Sequence, residues 1–373
     1  MKELSITIKT ILKVIKEHLD IVPALGNATE ELNIVDAEEK EEEIAYRELQ
    51  NVDTFLETPP PSEKFIKVSP LFRKDENFFQ YFMDGTYRHY FLATGLEHNN
   101  STPIFLAQIS ASVVHRNQYG KLTLADKLNK VFILLAKERV SSTAWNKIQE
   151  VMEKFKKDNI ELYDLSGDDI LSGKFDNTTD LRRRGEVKVR FIMSQLERDL
   201  MIAFREKNLN GWFIKDGILR YGSFDANVTL EKTIGVSKRM SSTQTFFVKS
   251  AKEKKKESTI NLLKELPFEH RTPVYCGIDA KTGFWYLRLR KVEQITYPLF
   301  GIVKIEIPNL ETQPITKELV DKISSALLGE RFVTPYGSDL RWHAHLYPIF
   351  RAEQAAKGNF YSKEVIQGLI NWK

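Results

Sequence analysis

Three carboxylates stand where a hydrolytic site could be built. Asp84, in the stretch FMDGTYR, follows an apolar run and precedes Gly85 and Thr86. Asp216, in FIKDGIL, repeats the arrangement of an apolar run, an aspartate and a glycine. An acid at the end of a strand projects into the crevice outside the sheet, where ligands commonly bind. Asp-Gly is also a common turn pair, so either copy alone reads equally well as a turn; the repetition points to a site. Glu197 has Met193 at i−4, Leu200 at i+3 and Met201 at i+4, which places it inside the apolar stripe of a helix. A carboxylate there is costly unless something satisfies it. The alternative is a boundary glutamate whose stem packs while its head reaches water. Three converging carboxylates without a Cys–His cluster select hard, oxygen-preferring cations, Mn²⁺ or Mg²⁺. Two such ions about 4 Å apart can activate a water and stabilise the leaving oxygen in phosphodiester cleavage.

The elements around these acids must bring them together. From Phe78 the chain is aromatic and β-rich, and Gly85 and Thr86 are expected to bend it just after Asp84. A second strand, TPIFLAQISASVVHR, lies between Pro103 and Asn117. LADKLNKVFILLAK and AWNKIQEVMEKFKK both show helical period, so 121–160 reads as helices and a helical insertion spans about 120–185. VKVRFIMSQLERDLMIAFREK is a strong helix carrying Glu197, and GWFIKDGILR is a short buried strand ending at Asp216. Since Asp216 follows Glu197 by 19 positions (216 − 197), a helix and a short strand can return both acids to the sheet edge that carries Asp84. TIGVSKR, FWYLRLRK and GIVKIEIP read as further strands, 250–258 as a charged loop, and two or three helices close the chain. The order strand-Asp, helix-Glu, strand-Asp is that of a ribonuclease-H-like nuclease, an α/β fold with a mixed sheet flanked by helices.

Before this core, residues 2–20 set isoleucines and leucines among lysines, 37–50 are acid-rich, and Pro59, Pro60 and Pro61 stop regular structure. The expected organisation is a helical N-terminal arm over 1–65 and a nuclease domain over 66–373. The apolar face of residues 4–19 must be buried somewhere, against a second copy of the chain or on its own core.

Composition narrows the class. The 55 Lys and Arg against 51 Asp and Glu leave a formal charge of +4, which permits nucleic acid as a partner without demanding it. The single cysteine, Cys276, cannot form an internal disulfide, and its strand-like flanks read as a small buried hydrophobe. No apolar run is long enough to span a membrane and the N-terminus lacks a signal-peptide cleavage site, so a cytoplasmic location is expected. Arg182, Arg183 and Arg184, and the run Lys252, Lys254, Lys255 and Lys256, could bind DNA phosphates or simply be solvated. Phe284, Trp285 and Tyr286 could stack bases, although in a strand such residues are more often core.

In this order the segments resemble the NurA family of DNA end-processing nucleases. FMDGTYR and FIKDGIL are similar to its two acidic strand motifs, IGVSKR to its Gly-Val-x-Lys strand, and FWYLRL and GIVKIEIP to its paired late strands. HLYPIFRAEQAAK is similar to its tyrosine–proline helix. The resemblance covers about residues 78–358, with a divergent stretch at 117–185. It implies a ribonuclease-H-like fold, a manganese-dependent exo- and endonuclease acting on DNA, a homodimer, and a hexameric HerA translocase as partner. By it, Asp84, Glu197 and Asp216 are the metal ligands. Lys238 becomes a phosphate contact, its alternative being a solvated strand-end lysine. His343 and His345 would point about 200° apart on a helix, and His345 is preferred as metal ligand or proton donor. The chain has no Walker A sequence, so movement along duplex DNA would need an external motor. Two other readings stay open: an inactive relative that binds DNA or a translocase, and a ribonuclease-H-like nuclease acting on RNA or branched DNA.

Overall fold

A computed structural model describes residues 2–24, 30–31, 51–52, 56–155, 159–166, 181–207, 210–219, 230–238, 245–249, 254–277, 281–291, 299–331, 344 and 346–370. It is an α/β protein with a large mixed sheet flanked by helices. The centre is an antiparallel meander of three long strands, β1 (Phe79–Glu97), β2 (Asn100–Arg116) and β3 (Leu122–Leu135). β2 is buried almost continuously from Thr102 to Val114, because it has a neighbour on each edge and helices on both faces. β4 (Ile160–Asp164) adds in parallel to β3. On the other edge of β1 come two short parallel strands, β5 (Trp212–Asp216) and β6 (Thr233–Ser237). β8 (Ile302–Pro308) is antiparallel to β6, and β7 (Thr282–Arg288) is antiparallel to β8. The order across the sheet is therefore β7-β8-β6-β5-β1-β2-β3-β4.

The helices divide the sheet into two faces. α1 (Lys2–His18) buries Ile8, Ile11, Leu12 and Ile15 against Trp145, Ile148 and Met152 of α2 (Ser142–Lys154) and against the sheet. α3 (Leu181–Lys207), 27 residues and about 40 Å long at 1.5 Å per residue, sets Val189, Ile192 and Leu196 on Phe105, Ile109 and Leu134. One turn further it sets Leu200, Met201 and Phe204 on Met83, Val113 and Phe213. After the seven-residue α4 (Thr259–Glu265), α5 (Lys317–Glu330) and α6 (Tyr347–Lys357) cover the opposite face, where Ile349 and Ala352 share a cluster with Phe82, Val114 and Val236. A last helix, α7 (Lys363–Leu369), packs on α1. None of the helices is long and apolar enough to cross a membrane, among the described residues.

Several sequence expectations change. Gly85 and Thr86 do not bend the chain: β1 runs through them to Glu97, paired with β2 at Gly85↔Ala111 and Thr86↔Ser110. Residues 122–135 are a strand, not a helix, so the expected helical insertion holds a strand, the helix α2 and a further strand in its described part. Its end, VFILL, is five consecutive buried residues, and such an apolar run suits a strand covered on both faces as well as it suits helical spacing. Lys254–Ser258 is a strand paired with Thr245–Lys249 rather than a loop. Phe284, Trp285 and Tyr286 are core, and Trp285 donates its indole N–H to Ser324 Oγ at 3.0 Å. Within 1–65, Asp20–Pro23 pairs with Ala93–Leu96 of β1, and Glu30–Glu31 pairs with Tyr90 and Phe91. The apolar face of α1 is thereby buried within its own chain. The acid-rich stretch 37–50 lies outside the described residues.

Candidate active site

Register places two acids side by side. β1 and β5 pair in parallel at Met83↔Lys215, so Asp84 and Asp216 are the next residue along each strand. Met83 and Phe213 pack on α3. Alternation then turns Asp84 and Asp216 to the other face, the side on which Phe82 packs with Ile349 and Ala352 of α6. β5 stops at Asp216 because Gly217 follows with φ +82°, a conformation that glycine adopts without strain. The turn beyond it crosses Gly235 of β6, where a β-carbon would stand 2.7 Å from Gly217 O. The Asp-Gly pair at 216 is thus a turn that also sets Asp216 at the end of its strand. At 84 the glycine serves a different end.

Gly85 is the seat of Glu197. A β-carbon there would lie 2.2 Å from Glu197 Oε1, so the carboxylate of α3 rests against bare backbone. Glu197 is buried beside Leu200 and Met201 rather than standing as a boundary residue, and its charge is met by Lys215, whose Nζ lies 2.7 Å from Glu197 Oε2. Lys215 Nζ also donates to Asp216 O at 2.9 Å. The burial cost of the glutamate is thereby offset by a lysine on the neighbouring strand.

On the α6 face, Lys238 Nζ lies 3.0 Å from Asp216 Oδ2, one step past the end of β6. Asp216 Oδ1 is buried and has no hydrogen-bond partner among the described residues. Burial pushes the Asp84 carboxyl well above the usual carboxylate range. The negative charge of Asp216 adds to this, as do those of Glu353 and Glu197, while Lys238 opposes it. Glu353 comes from α6 and is ion-paired with Lys357 at 2.6 Å. α6 is tied to the sheet beside Asp84: Ser112, the partner of Asp84 in β2, donates its hydroxyl to Ala352 O at 2.7 Å.

Asp84, Asp216 and Lys238 therefore share the α6 face with Glu353, whereas Glu197 meets the same two strands from the α3 face, paired with Lys215, so the expected convergence of the three acids on one side of the sheet is not found. Glu353 escaped the sequence reading, since at i−4 to Lys357 it has the spacing of an ordinary exposed helix pair. Arg184 does not join them. It stands 13 residues before Glu197 on α3 (197 − 184), about 20 Å away along the helix, with Nη1 3.9 Å from Glu138. Arg182 and Arg183 share its turn, and their side chains lie outside the described set. His343 and His345 also lie outside the described residues, as does Lys252.

The donor set is all oxygen, which suits a hard cation. Among the described residues no group of three or more His, Cys, Asp or Glu side chains already has metal-holding spacing. Two lysine ammonium groups stand against the acids instead, Lys215 on Glu197 and Lys238 on Asp216. The orphaned Oδ1 of Asp216 and the mutual repulsion felt at Asp84 both fit a site that gains from a further positive charge. Compared with protein-family models and with curated proteins, the chain matches neither a family model nor a curated protein.

Proposed function

We propose that this chain is a Mn²⁺- or Mg²⁺-dependent DNA nuclease on a ribonuclease-H-like core. The observation that carries the reading is the pair Asp84 and Asp216, side by side on adjacent parallel strands and turned to the same face of the sheet. The sheet supports it: three antiparallel strands, β1 to β3, continue through β1 into two strands parallel to it, with one acid on each of the two central strands. Asp84 and Asp216 would hold the cation, with Glu353 on the same face offering a further oxygen, while Glu197 stands with Lys215 on the opposite face. When bound, the cation supplies Lewis acidity toward a phosphoryl oxygen and lowers the pKa of a water.

The protein's own groups do the rest. Asp84, buried and facing like charges, holds a proton readily when no cation opposes it. Lys238 Nζ neutralises Asp216 in the resting site and is placed to meet a phosphate as a point charge. Lys215 fixes the Glu197 carboxylate against Gly85. By the family resemblance the enzyme acts as a homodimer beside a hexameric HerA-type ATPase that feeds it DNA.

The test is incubation with linear single- and double-stranded DNA and RNA, with Mn²⁺, Mg²⁺ or chelator, using the protein and its Asp84→Asn, Glu197→Gln and Asp216→Asn variants. Metal-dependent cleavage lost in all three variants supports the reading; full activity in any one removes that residue from the site. A second reading is an inactive relative that binds DNA or a translocase. The lysines that already neutralise Glu197 and Asp216 favour it, and it expects no cleavage of any substrate with any metal.

A further inference from the structure

Among the described residues three aromatic side chains are strongly exposed: Phe72 at 48%, Tyr119 at 85% and Tyr347 at 46%. They come from three distant parts of the chain, yet all three line one cleft of about 670 Å³. Arg73, Lys74 and Arg116 line it with them, against the single acid Glu330. Arg116 is committed to the fold: it is buried, ion-paired with Glu330, and donates to Phe79 O at 2.7 Å. Arg73 and Lys74 supply the remaining positive charge.

The cleft is built rather than incidental. Tyr119 sits on the β2–β3 turn, which the Asn117 side chain braces by accepting from the N–H groups of Tyr119 and Lys121, each at 3.0 Å. The turn needs Gly120 at φ +81°, and the Arg73 guanidinium lies over that glycine, with Cζ 3.1 Å from where a β-carbon would be. Aromatic faces flanked by basic groups suit a chain of planar bases on a phosphate backbone. Every base has a π-face, so such a platform grips a single strand irrespective of sequence. A duplex, whose bases are stacked on one another, offers the rings nothing comparable.

We propose that this cleft binds single-stranded DNA, stacking bases on Phe72, Tyr119 and Tyr347 while Arg73 and Lys74 meet the phosphates. The inference rests on the nuclease reading above for the choice of DNA, and it gives that reading a strand path. Arg116 lies four residues from Ser112 on β2 (116 − 112), and Ser112 pairs with Asp84, so the cleft is roughly 14 Å from the acids along the strand. Tyr347 and Glu353 are six residues apart on α6 (353 − 347), about 9 Å of helix. A strand leaving the acids along α6 would enter the cleft within a few nucleotides.

The experiment is fluorescence anisotropy of labelled oligo(dT) with the full chain in chelator, so that binding is read without cleavage. Tyr119→Ala and Phe72→Ala are each expected to weaken binding on the order of tenfold. Tyr119→Phe, which keeps the ring, should bind like the parent, and a blunt duplex of the same length should be indifferent to all three changes. Unchanged oligo(dT) affinity in both alanine variants, or an equal loss for the duplex, overturns the proposal. Ring-dependent binding by a protein that cleaves nothing would sink the nuclease reading and leave the cleft standing. Cleavage with ring-independent binding would do the reverse.

Discussion

Gly85 and Glu197 are fitted to one another: the β-carbon that Gly85 lacks would stand 2.2 Å from Glu197 Oε1 and 2.7 Å from its Cγ. Gly85→Ala must therefore push the glutamate off its seat and away from Lys215. We expect it to cost about 1–3 kcal/mol, the range for overpacking a buried contact. Gly85→Ala combined with Glu197→Ala should recover much of the Gly85→Ala loss, because the clash is gone. Urea midpoints of the parent, both single variants and the double variant test this; strictly additive losses would contradict the fit.

Asp84 gives the cation-free protein a pH dependence of definite sign. Its folded-state pKa is raised, by burial first and then by the charge of Asp216. Between the unfolded value of about 3.9 and the raised folded value, the folded chain holds the extra proton. Stability is therefore greatest below the lower value and declines as pH rises through the upper one. Asp84→Asn should raise the melting temperature in chelator at pH 8 and change it little at pH 4. Mn²⁺ should then stabilise the parent and not the variant. A variant less stable than the parent at pH 8 would show that Asp84 is satisfied by contacts rather than strained by charge.

His89 acts in the opposite direction. It is buried against Phe105 at a ring separation of 4.6 Å, and neither ring nitrogen has a hydrogen-bond partner among the described residues. Burial lowers its pKa from 6.5 to about 3. Below 6.5 the unfolded chain takes up a proton that the folded chain refuses, so stability is lost as pH falls from 6.5 toward 3. At pH 5 that loss is about 2 kcal/mol, from about 1.4 kcal/mol per pH unit. His89→Leu should flatten this acid limb in denaturant titrations at pH 7 and pH 5; an unchanged slope would refute it.

A buried ion network holds residues 56–58 to the sheet. Arg271 and Glu57 are both fully buried and paired at 2.5 Å, Arg271 Nε donates to Asp321 Oδ1 at 2.7 Å, and Thr58 N donates to Ile315 O. Removing one partner strands the other charge away from water. Arg271→Leu should cost about 3–5 kcal/mol, whereas Lys317→Ala, on the exposed side of Asp321, should cost less than about 1 kcal/mol. Chemical denaturation of the two variants checks the contrast.

The sequence was informative wherever a local signal decided the structure. α3 announced itself by sustained periodicity, and β5 by a short apolar run closed by Asp-Gly. Residues 122–135 misled because Leu122, Leu124, Leu128 and Val131 fit helical spacing nearly as well as strand spacing, and only pairing with β2 decides between them. In sequence Gly85 reads as punctuation that ends a strand at Asp84, yet that glycine answers to Glu197, a residue 112 positions away (197 − 85). Glu353 and the cleft were invisible for the same reason. Each depends on which elements α6 meets, and no local pattern in YPIFRAEQAAK encodes that it lies beside Asp84.

The placement of α6 also has a consequence in time. Glu353 and Tyr347 come some 260 residues after Asp84, on a helix that docks on the central strands through Ser112 and Phe82. A growing chain that has already laid down β1 to β6 carries the two aspartates and Glu197 but neither Glu353 nor one wall of the cleft. Until residues 347–357 have been made and have docked on the central strands, the aspartates lack the neighbouring charge of Glu353.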